Sequence, residues 1–322
     1  PGSGAWRQVA RWAWRALAAC MMVTCAAAGL DSYATGNYFA GNVLMNRGLP
    51  DEAIVHYQRT LDINARYAGA IDGLGNAFLL KGRGADALIQ YKKALEVEPH
   101  LVESRFDLAH CYYAMGQIAE AISQDEVVLK SAPNYVKARN DLASCDLRQG
   151  RLSDALAQLN KTVAIAPDFA DARNNLGYCL LLMGRTSEAI LQFQQAVSLE
   201  PDSANFLCGL GNALLKGGRP NEAVAEYQKA VELAPGVAGV HYQLASGLLQ
   251  LGKVDAAIGQ FQKAVELKPG SAAFHRGLAG ALERKGLSAA AALQYQKALQ
   301  LDPAQSQSKS PKITSDLSSQ TK

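Results

Sequence analysis

Two stretches, ADARNNLGYCLLLMGRTSEAILQFQQAVSLEPDS (Ala170–Ser203) and ANFLCGLGNALLKGGRPNEAVAEYQKAVELAPGV (Ala204–Val237), decide how the chain is read. Laid one under the other they agree at fixed places: leucine seventh (Leu176, Leu210), glycine eighth (Gly177, Gly211), glycine fifteenth (Gly184, Gly218) and alanine twentieth (Ala189, Ala223). An aromatic ring stands twenty-fourth (Phe193, Tyr227), and proline closes each stretch at Pro201 and Pro235. Working outward, the proline returns at Pro99, Pro133, Pro167, Pro269 and Pro303, always 34 residues from its neighbour. A fixed period of this length marks a solenoid, in which each unit buries its apolar face only against adjacent units.

The prolines set units beginning at Ala68, Val102, Val136, Ala170, Ala204, Ala238 and Ala272, and an imperfect first unit begins at Ala34 with Ala65 in the proline's place. Leucine is seventh in every prolined unit, from Leu74 to Leu278, and glycine or alanine always follows it. A large side chain beside a very small one lets two helices approach closely. Glycine holds the fifteenth place from Gly82 to Gly286, where a helix end needs a residue free to take positive φ. Proline, lacking a donor for the helical ladder, ends the second helix.

This pattern resembles the tetratricopeptide repeat, over about Ala34 to Gln305. The resemblance implies an all-α, right-handed α-solenoid of about eight helix-turn-helix units: 34–67, 68–101, 102–135, 136–169, 170–203, 204–237, 238–271 and 272–305. It further implies that the first helix of each unit lines a concave groove, and that the protein is a binding scaffold, not an enzyme.

Composition fits one elongated array. The formal net charge of +3 is too small to indicate nucleic acid, and with Arg7, Arg11 and Arg15 set aside the repeats are close to neutral. Cys111, Cys145 and Cys179 occupy the tenth place of three consecutive units. Packed helices would hold such places roughly 9–10 Å apart, too far for a disulfide or a shared metal, so these read as small buried apolar residues. Cys208 is expected to face the groove. None of His56, His100, His110, His241 and His275 lies in a metal-ligand pattern, and the 34-residue separation of the last two follows from the repeat. Gly73-Leu74-Gly75 and Gly209-Leu210-Gly211 look faintly like phosphate loops, but they fall mid-helix without a following G-K-[ST], and read as packing glycines. No cofactor, metal or catalytic residue is expected.

The ends differ from the repeats. Residues 1–33 join Arg7, Arg11 and Arg15, interleaved with Trp6, Trp12 and Trp14, to an apolar run from Ala16 to Leu30. Basic flank then apolar segment is the order of a secretory signal or an amino-terminal membrane anchor, with an organellar transit peptide as the alternative. Either membrane reading sets the repeats across the membrane, in the periplasm for a Gram-negative source. Residues 306–322, rich in Ser, Gln, Lys and Thr, read as a disordered tail. The last repeat would then expose its terminal face or cover it by self-association.

Binding is expected in the groove. In the repeat family the second, fifth, sixth, ninth, twelfth and thirteenth places face it, and here they hold Asn42, Asn76, Asn140, Asn174, Asn175, Asn205 and Asn212, with Tyr38, Phe106, His110, Tyr113, Tyr178 and Tyr242. Asparagine amides both donate and accept, so a ladder of them can hold an extended peptide, with aromatic rings adding apolar contact. A clamp for a carboxyl terminus needs matched cations, and outside the thirteenth place only Lys137 and Arg276 are lysine or arginine in groove places, far apart in the stack. The Asn-rich groove resembles the repeat superhelix of O-linked N-acetylglucosamine transferases, although the sixth-place asparagine of that family survives only at Asn175. Three readings follow: an adaptor that holds an extended or helical protein segment and assists an envelope or membrane-associated complex, the recognition arm of an enzyme such as a glycosyltransferase, or a self-associating scaffold. Units three and four depart most from the pattern, with Asp125 and Leu159 in the aromatic place and Thr162 for the usual alanine. A carboxylate between helices needs a partner, and Arg139 is the candidate for Asp125.

Overall fold

The structure, a computed structural model, describes residues 29–303. The amino-terminal basic and apolar segment and the carboxyl-terminal tail lie almost wholly outside the described residues. Every regular element among the described residues is a helix, apart from one short 3-10 assignment at the end. Helix α1 covers 29–46 and α2 Pro50–Ile63; α3 (Ala68–Leu80) pairs with α4 (Gly84–Val97), and α5 (Val102–Ala114) with α6 (Ile118–Ser131). Then come α7 (Val136–Arg148), α8 (Leu152–Ile165), α9 (Ala170–Leu182), α10 (Thr186–Leu199), α11 (Ala204–Lys216), α12 (Pro220–Leu233), α13 (Ala238–Gln250), α14 (Val254–Leu267), α15 (Ala272–Arg284) and α16 (Ser288–Leu301). This is an all-α helical-repeat solenoid.

The chain divides into two compact units between Gln149 and Gly150. In the first, α2 packs on α3, α4 on α5 and α6 on α7, while α3, α5 and α7 lie side by side. In the second, odd-numbered helices α9, α11, α13 and α15 lie side by side, each against its own even-numbered partner. The odd-numbered helices are called A-helices below and the even-numbered ones B-helices.

Glycine makes the turns. Gly48, Gly82, Gly116, Gly150, Gly184, Gly218, Gly252 and Gly286 all take φ between 72° and 82°, and no other residue type among the described residues takes positive φ. These are the fifteenth places, plus the corresponding glycine of the imperfect first unit. A side chain there would meet its own carbonyl, so glycine is the cheap choice.

In α2, α4, α10, α12 and α14 the twenty-fourth ring is the core of the repeat. Phe193 of α10 lies wedged between Gly177 of α9 and Gly209 of α11, where an added Cβ would come within 2.9 and 2.6 Å of ring atoms. Tyr57 sits the same way between Gly41 and Gly73, at 2.6 and 2.5 Å. The sixth and eighth places are therefore small because a ring from a B-helix fills the space between successive A-helices. Gly73 and Gly209 are packing glycines, and nothing in their setting resembles a phosphate loop.

A second device recurs at the fourth place. Arg105 donates to the Pro99 carbonyl at 2.9 Å and to Gln124 at 3.0 Å, and Arg173 makes the equivalent bonds to Pro167 and Gln192. His241 and His275 do the same with an imidazole: Nε2 meets the Pro235 or Pro269 carbonyl at 2.9 or 3.0 Å, and Nδ1 meets Gln260 or Gln294 at 2.7 Å. A carbonyl only accepts, so Nε2 carries the hydrogen. Where it occurs, this clamp ties the proline loop and the B-helix to the start of the A-helix, which is why these two histidines are buried; α3 and α11 carry Ile71 and Leu207 at the same place.

Cys111, Cys145 and Cys179 are fully buried and carry free thiols; the thiols of Cys111 and Cys179 point at the Gly84 and Leu152 carbonyls. Thr162 is also fully buried, its hydroxyl donating to the Gln158 carbonyl one turn back at 2.9 Å. The Asp125–Arg139 pair expected from the sequence does not form. Both carboxyl oxygens of Asp125 lack a hydrogen-bond partner, whereas Arg139 donates to the Pro133 carbonyl through the fourth-place clamp.

Candidate functional site

The candidate site is the face of the A-helices, and its residues do not all stand open. Tyr57, Tyr91 and Tyr227 each send a hydroxyl to the ninth-place asparagine of their own repeat, donating to Asn42 at 2.7 Å, Asn76 at 2.7 Å and Asn212 at 2.6 Å. Burial pushes the Tyr57 phenol up to about 12, and Tyr91 and Tyr227 lie further above the ordinary tyrosine range for the same reason. The hydroxyls therefore stay protonated and donating, and the three asparagines use Oδ1 to finish the core. Each asparagine at this place keeps its amide N–H for other partners, and in Asn76 that group is held by two carboxyls.

The fifth-place asparagines are buried. Asn140 and Asn174 are 6 % and 4 % exposed, and Asn174 Oδ1 has no hydrogen-bond partner. Asn205 is exposed and Asn175 half-buried. Cys208 is also buried, and burial pushes its thiol up to about 11. So the even ladder of peptide-binding amides expected from the sequence is not what the A-helices present: several members are structural.

The aromatic members are half-buried and stacked. Tyr38 lies near Tyr57 and Tyr67, with ring centroids at 6.2 and 5.1 Å. Phe106 stacks on Tyr135 at 5.4 Å and neighbours His110 at 6.2 Å. In the second unit Tyr178 meets Phe193 edge-on at 5.2 Å, and Tyr242 meets Phe261 at 5.4 Å and Phe274 at 5.2 Å. Tyr113 carries the Arg148 guanidinium over its ring at 4.0 Å. These rings offer edges to a ligand while their faces are held by the fold.

A feature the sequence reading passed over is the set of carboxyls on α3, α5 and α7. The Asn76 amide nitrogen donates to Asp72 and to Asp107, both at 3.3 Å, so one side chain holds two carboxyls. His110 Nδ1 meets Asp141 at 3.0 Å, and that hydrogen bond raises the imidazole above its ordinary value. Burial, reinforced by Asp107 and Glu103, pushes Asp72 up to about 7; Asp107 is raised too, first by burial. Asp125, 1 % exposed behind this face, is pushed up to about 8 by burial and by the charge on Asp141. Asp107 and Asp141 stand in the sixth place, where the transferase-like groove would have asparagine.

Among the described residues no cluster of three or more His, Cys, Asp or Glu side chains is arranged to hold a metal ion, and no helix is long and apolar enough to cross a membrane.

Comparison with known proteins agrees with the repeat. Family models described as "Tetratricopeptide repeat" match residues 180–238, 242–306 and 149–207, and one described as "Anaphase-promoting complex, cyclosome, subunit 3" matches 81–162. No curated protein sequence matches the chain. Among solved structures, a chain of the anaphase-promoting-complex hetero-tetramer Cut9-Hcn1 superposes with a TM-score of 0.68 at 16 % identity, over 82 % of this chain and 52 % of that one. The chain thus spans about half the length of that relative. A repeat protein from Parabacteroides merdae superposes with a TM-score of 0.63 at 15 % identity, over 78 % of this chain and 99 % of that one. The thermophilic repeat protein TTC0263 of Thermus thermophilus is 27 % identical, with a TM-score of 0.52, over 56 % of this chain and 99 % of its own. The 34-residue period, the helix pairs and these matches place the chain in the tetratricopeptide-repeat family. Proteins built this way are scaffolds for protein–protein interaction.

Proposed function

We propose that this protein is a non-enzymatic adaptor that holds an extended or helical segment of a partner protein against its A-helices, and that it assists assembly of an envelope or membrane-associated complex. The observation that carries the reading is the side-by-side placement of α3, α5 and α7 in one unit and of α9, α11, α13 and α15 in the other. In each unit this brings the second, fifth and ninth places of neighbouring repeats side by side, mixing polar groups with ring edges. An extended chain laid across them meets a polar group or a ring edge on most A-helices, which suits a polypeptide segment better than a small molecule. The basic, tryptophan-bearing segment before residue 29 would set the location, on the far side of a membrane from its arginines.

Photo-crosslinking tests this. A benzoylphenylalanine residue placed at Tyr113 or Asn205, on A-helices, should join to a partner segment in cells, whereas one at Lys93 or Lys161, exposed on B-helices, should not. Crosslinks confined to the B-helix positions would move the site to the other face. Fractionation of the native cells tests the location: protein found only in the cytosol sinks the envelope assignment.

A further inference from the structure

The A-helix face of the first unit differs from that of the second in charge. Asp72 on α3, Glu103 and Asp107 on α5, and Asp141 on α7 share one electrostatic neighbourhood, in which Asp107 senses Glu103, His110 and Lys137, and Asp72 senses Asp107 and Glu103. Four carboxyls there face Lys137, His110 and the Arg148 guanidinium that lies on Tyr113. The corresponding fifth and sixth places on α9, α11, α13 and α15 hold no carboxyl and carry Arg276, and Asp171 in the second place of α9 is the one counterpart of Glu103. Like-charged groups gathered on a half-buried face destabilise the fold that gathers them, so the arrangement suits a cation that arrives from outside.

Asp125 supplies the second, independent observation. In the repeat before it, Tyr91 runs from α4 between α3 and α5, and its hydroxyl reaches the ninth-place Asn76. The same register sets Asp125 of α6 in the place that Tyr91 fills one repeat earlier, where it senses the charge on Asp141 of α7. It is 1 % exposed, with neither oxygen hydrogen-bonded. A buried carboxyl without a donor is costly, and among the described residues none donates to it. We propose that the α3–α5–α7 face is the docking site for a lysine- or arginine-bearing segment of the partner protein, whose cations engage Asp72, Asp107 and Asp141, with Asp125 adding its charge from behind. The proposal rests on the A-helix reading given above and names the chemistry of its ligand.

A docked cation favours the ionised carboxyls, so Asp72 and Asp125, both pushed up by burial, lose protons on binding. Every group facing the site acts in the same direction or stays fixed. Glu103, Asp107 and Asp141 attract the cation, Lys137 and the Arg148 guanidinium on Tyr113 keep their charge, and His110 repels less once it is neutral. Affinity should therefore rise with pH through the neutral range, with measurable proton release.

The test is calorimetric titration of the full chain with decalysine and with decaglutamate, in buffers of differing ionisation enthalpy, at about 50 mM salt so that exposed charges are only partly screened. Decalysine should bind with proton release, and decaglutamate should not bind. The variant Asp72→Asn, Asp107→Asn, Asp141→Asn keeps the side-chain shapes and should weaken decalysine by roughly tenfold or more. A control, Glu96→Gln, Glu120→Gln, Glu126→Gln, removes three exposed charges from B-helices and should weaken it by less than about twofold. Equal losses in the two variants, or binding without proton release, overturn the proposal. So does a partner segment crosslinked at Tyr113 that carries neither lysine nor arginine, and that result leaves the A-helix reading standing. Absence of any A-helix crosslink removes both.

Discussion

The contact between Phe193 and Gly209 sets how tightly two repeats join. An added methyl at Gly209 would meet the ring at 2.6 Å and Asn174 Oδ1 at 3.1 Å, and the ring has no exposed surface into which to retreat. Gly209→Ala should therefore cost about 1–3 kcal/mol in thermal or denaturant unfolding. Gly239, exposed on α13 with nothing within 4 Å of an added Cβ, gives the contrast: Gly239→Ala should stabilise, by up to about 1 kcal/mol. Equal effects at the two sites would show that ring packing does not decide the glycines. Asp125 carries a prediction in pH. Its folded carboxyl titrates near 8 against 3.8 without burial, so the native state holds a proton that the unfolded chain releases across that window. Stability from this group is greatest at acid pH and is lost as pH rises from about 4 to about 8. Asp125→Leu should raise the melting temperature, and raise it more at pH 8 than at pH 5; an equal gain at both would mean that the carboxyl does not titrate in this way. At this scale the sequence was legible where residue type repeats, as in the fifteenth-place glycines. It was silent on which asparagines are open, because the ninth-place Asn76 and the fifth-place Asn174 both fall in groove places, and only the fold shows that a tyrosine hydroxyl reaches the first and that the second is buried.

The A-helices α5, α9, α13 and α15 begin at a clamp between a fourth-place side chain, a proline carbonyl and a B-helix glutamine. His275→Ala should leave the Pro269 carbonyl and Gln294 without their shared partner and cost about 1–3 kcal/mol, read as a drop in denaturant midpoint. An unchanged midpoint would mean that water replaces the imidazole at no cost. The clamp was invisible as a motif because arginine, histidine and asparagine all occupy the fourth place: Asn37 meets His56, with the roles of the two residue types exchanged. The chemistry is shared while the letters differ. Helix bounds, by contrast, were readable, since proline and glycine act on the backbone itself. The expected Asp125–Arg139 pair failed for the same reason that the clamp was missed: Arg139 already serves its own proline loop.

In a linear array, stability is a sum over neighbouring interfaces. The ring of the twenty-fourth place is intact in α10, α12 and α14, while α6 carries Asp125 and α8 carries Leu159 there. Amide hydrogen exchange should accordingly be faster through α5–α8 than through α9–α14; uniform protection would show that the missing rings are compensated elsewhere. The whole-chain period was the most legible property of all, because thirty-four residues separate every landmark. One consequence reaches past the single molecule. A twenty-fourth side chain has to fit the sixth place of the repeat that follows, as Phe193 fits Gly209 and Phe261 fits Gly277. That pairing works as a grammar of adjacency: repeats ending in a ring and beginning in glycine can be duplicated, deleted or reordered without editing. Those around Asp125 and Asp141 have to be inherited as a block.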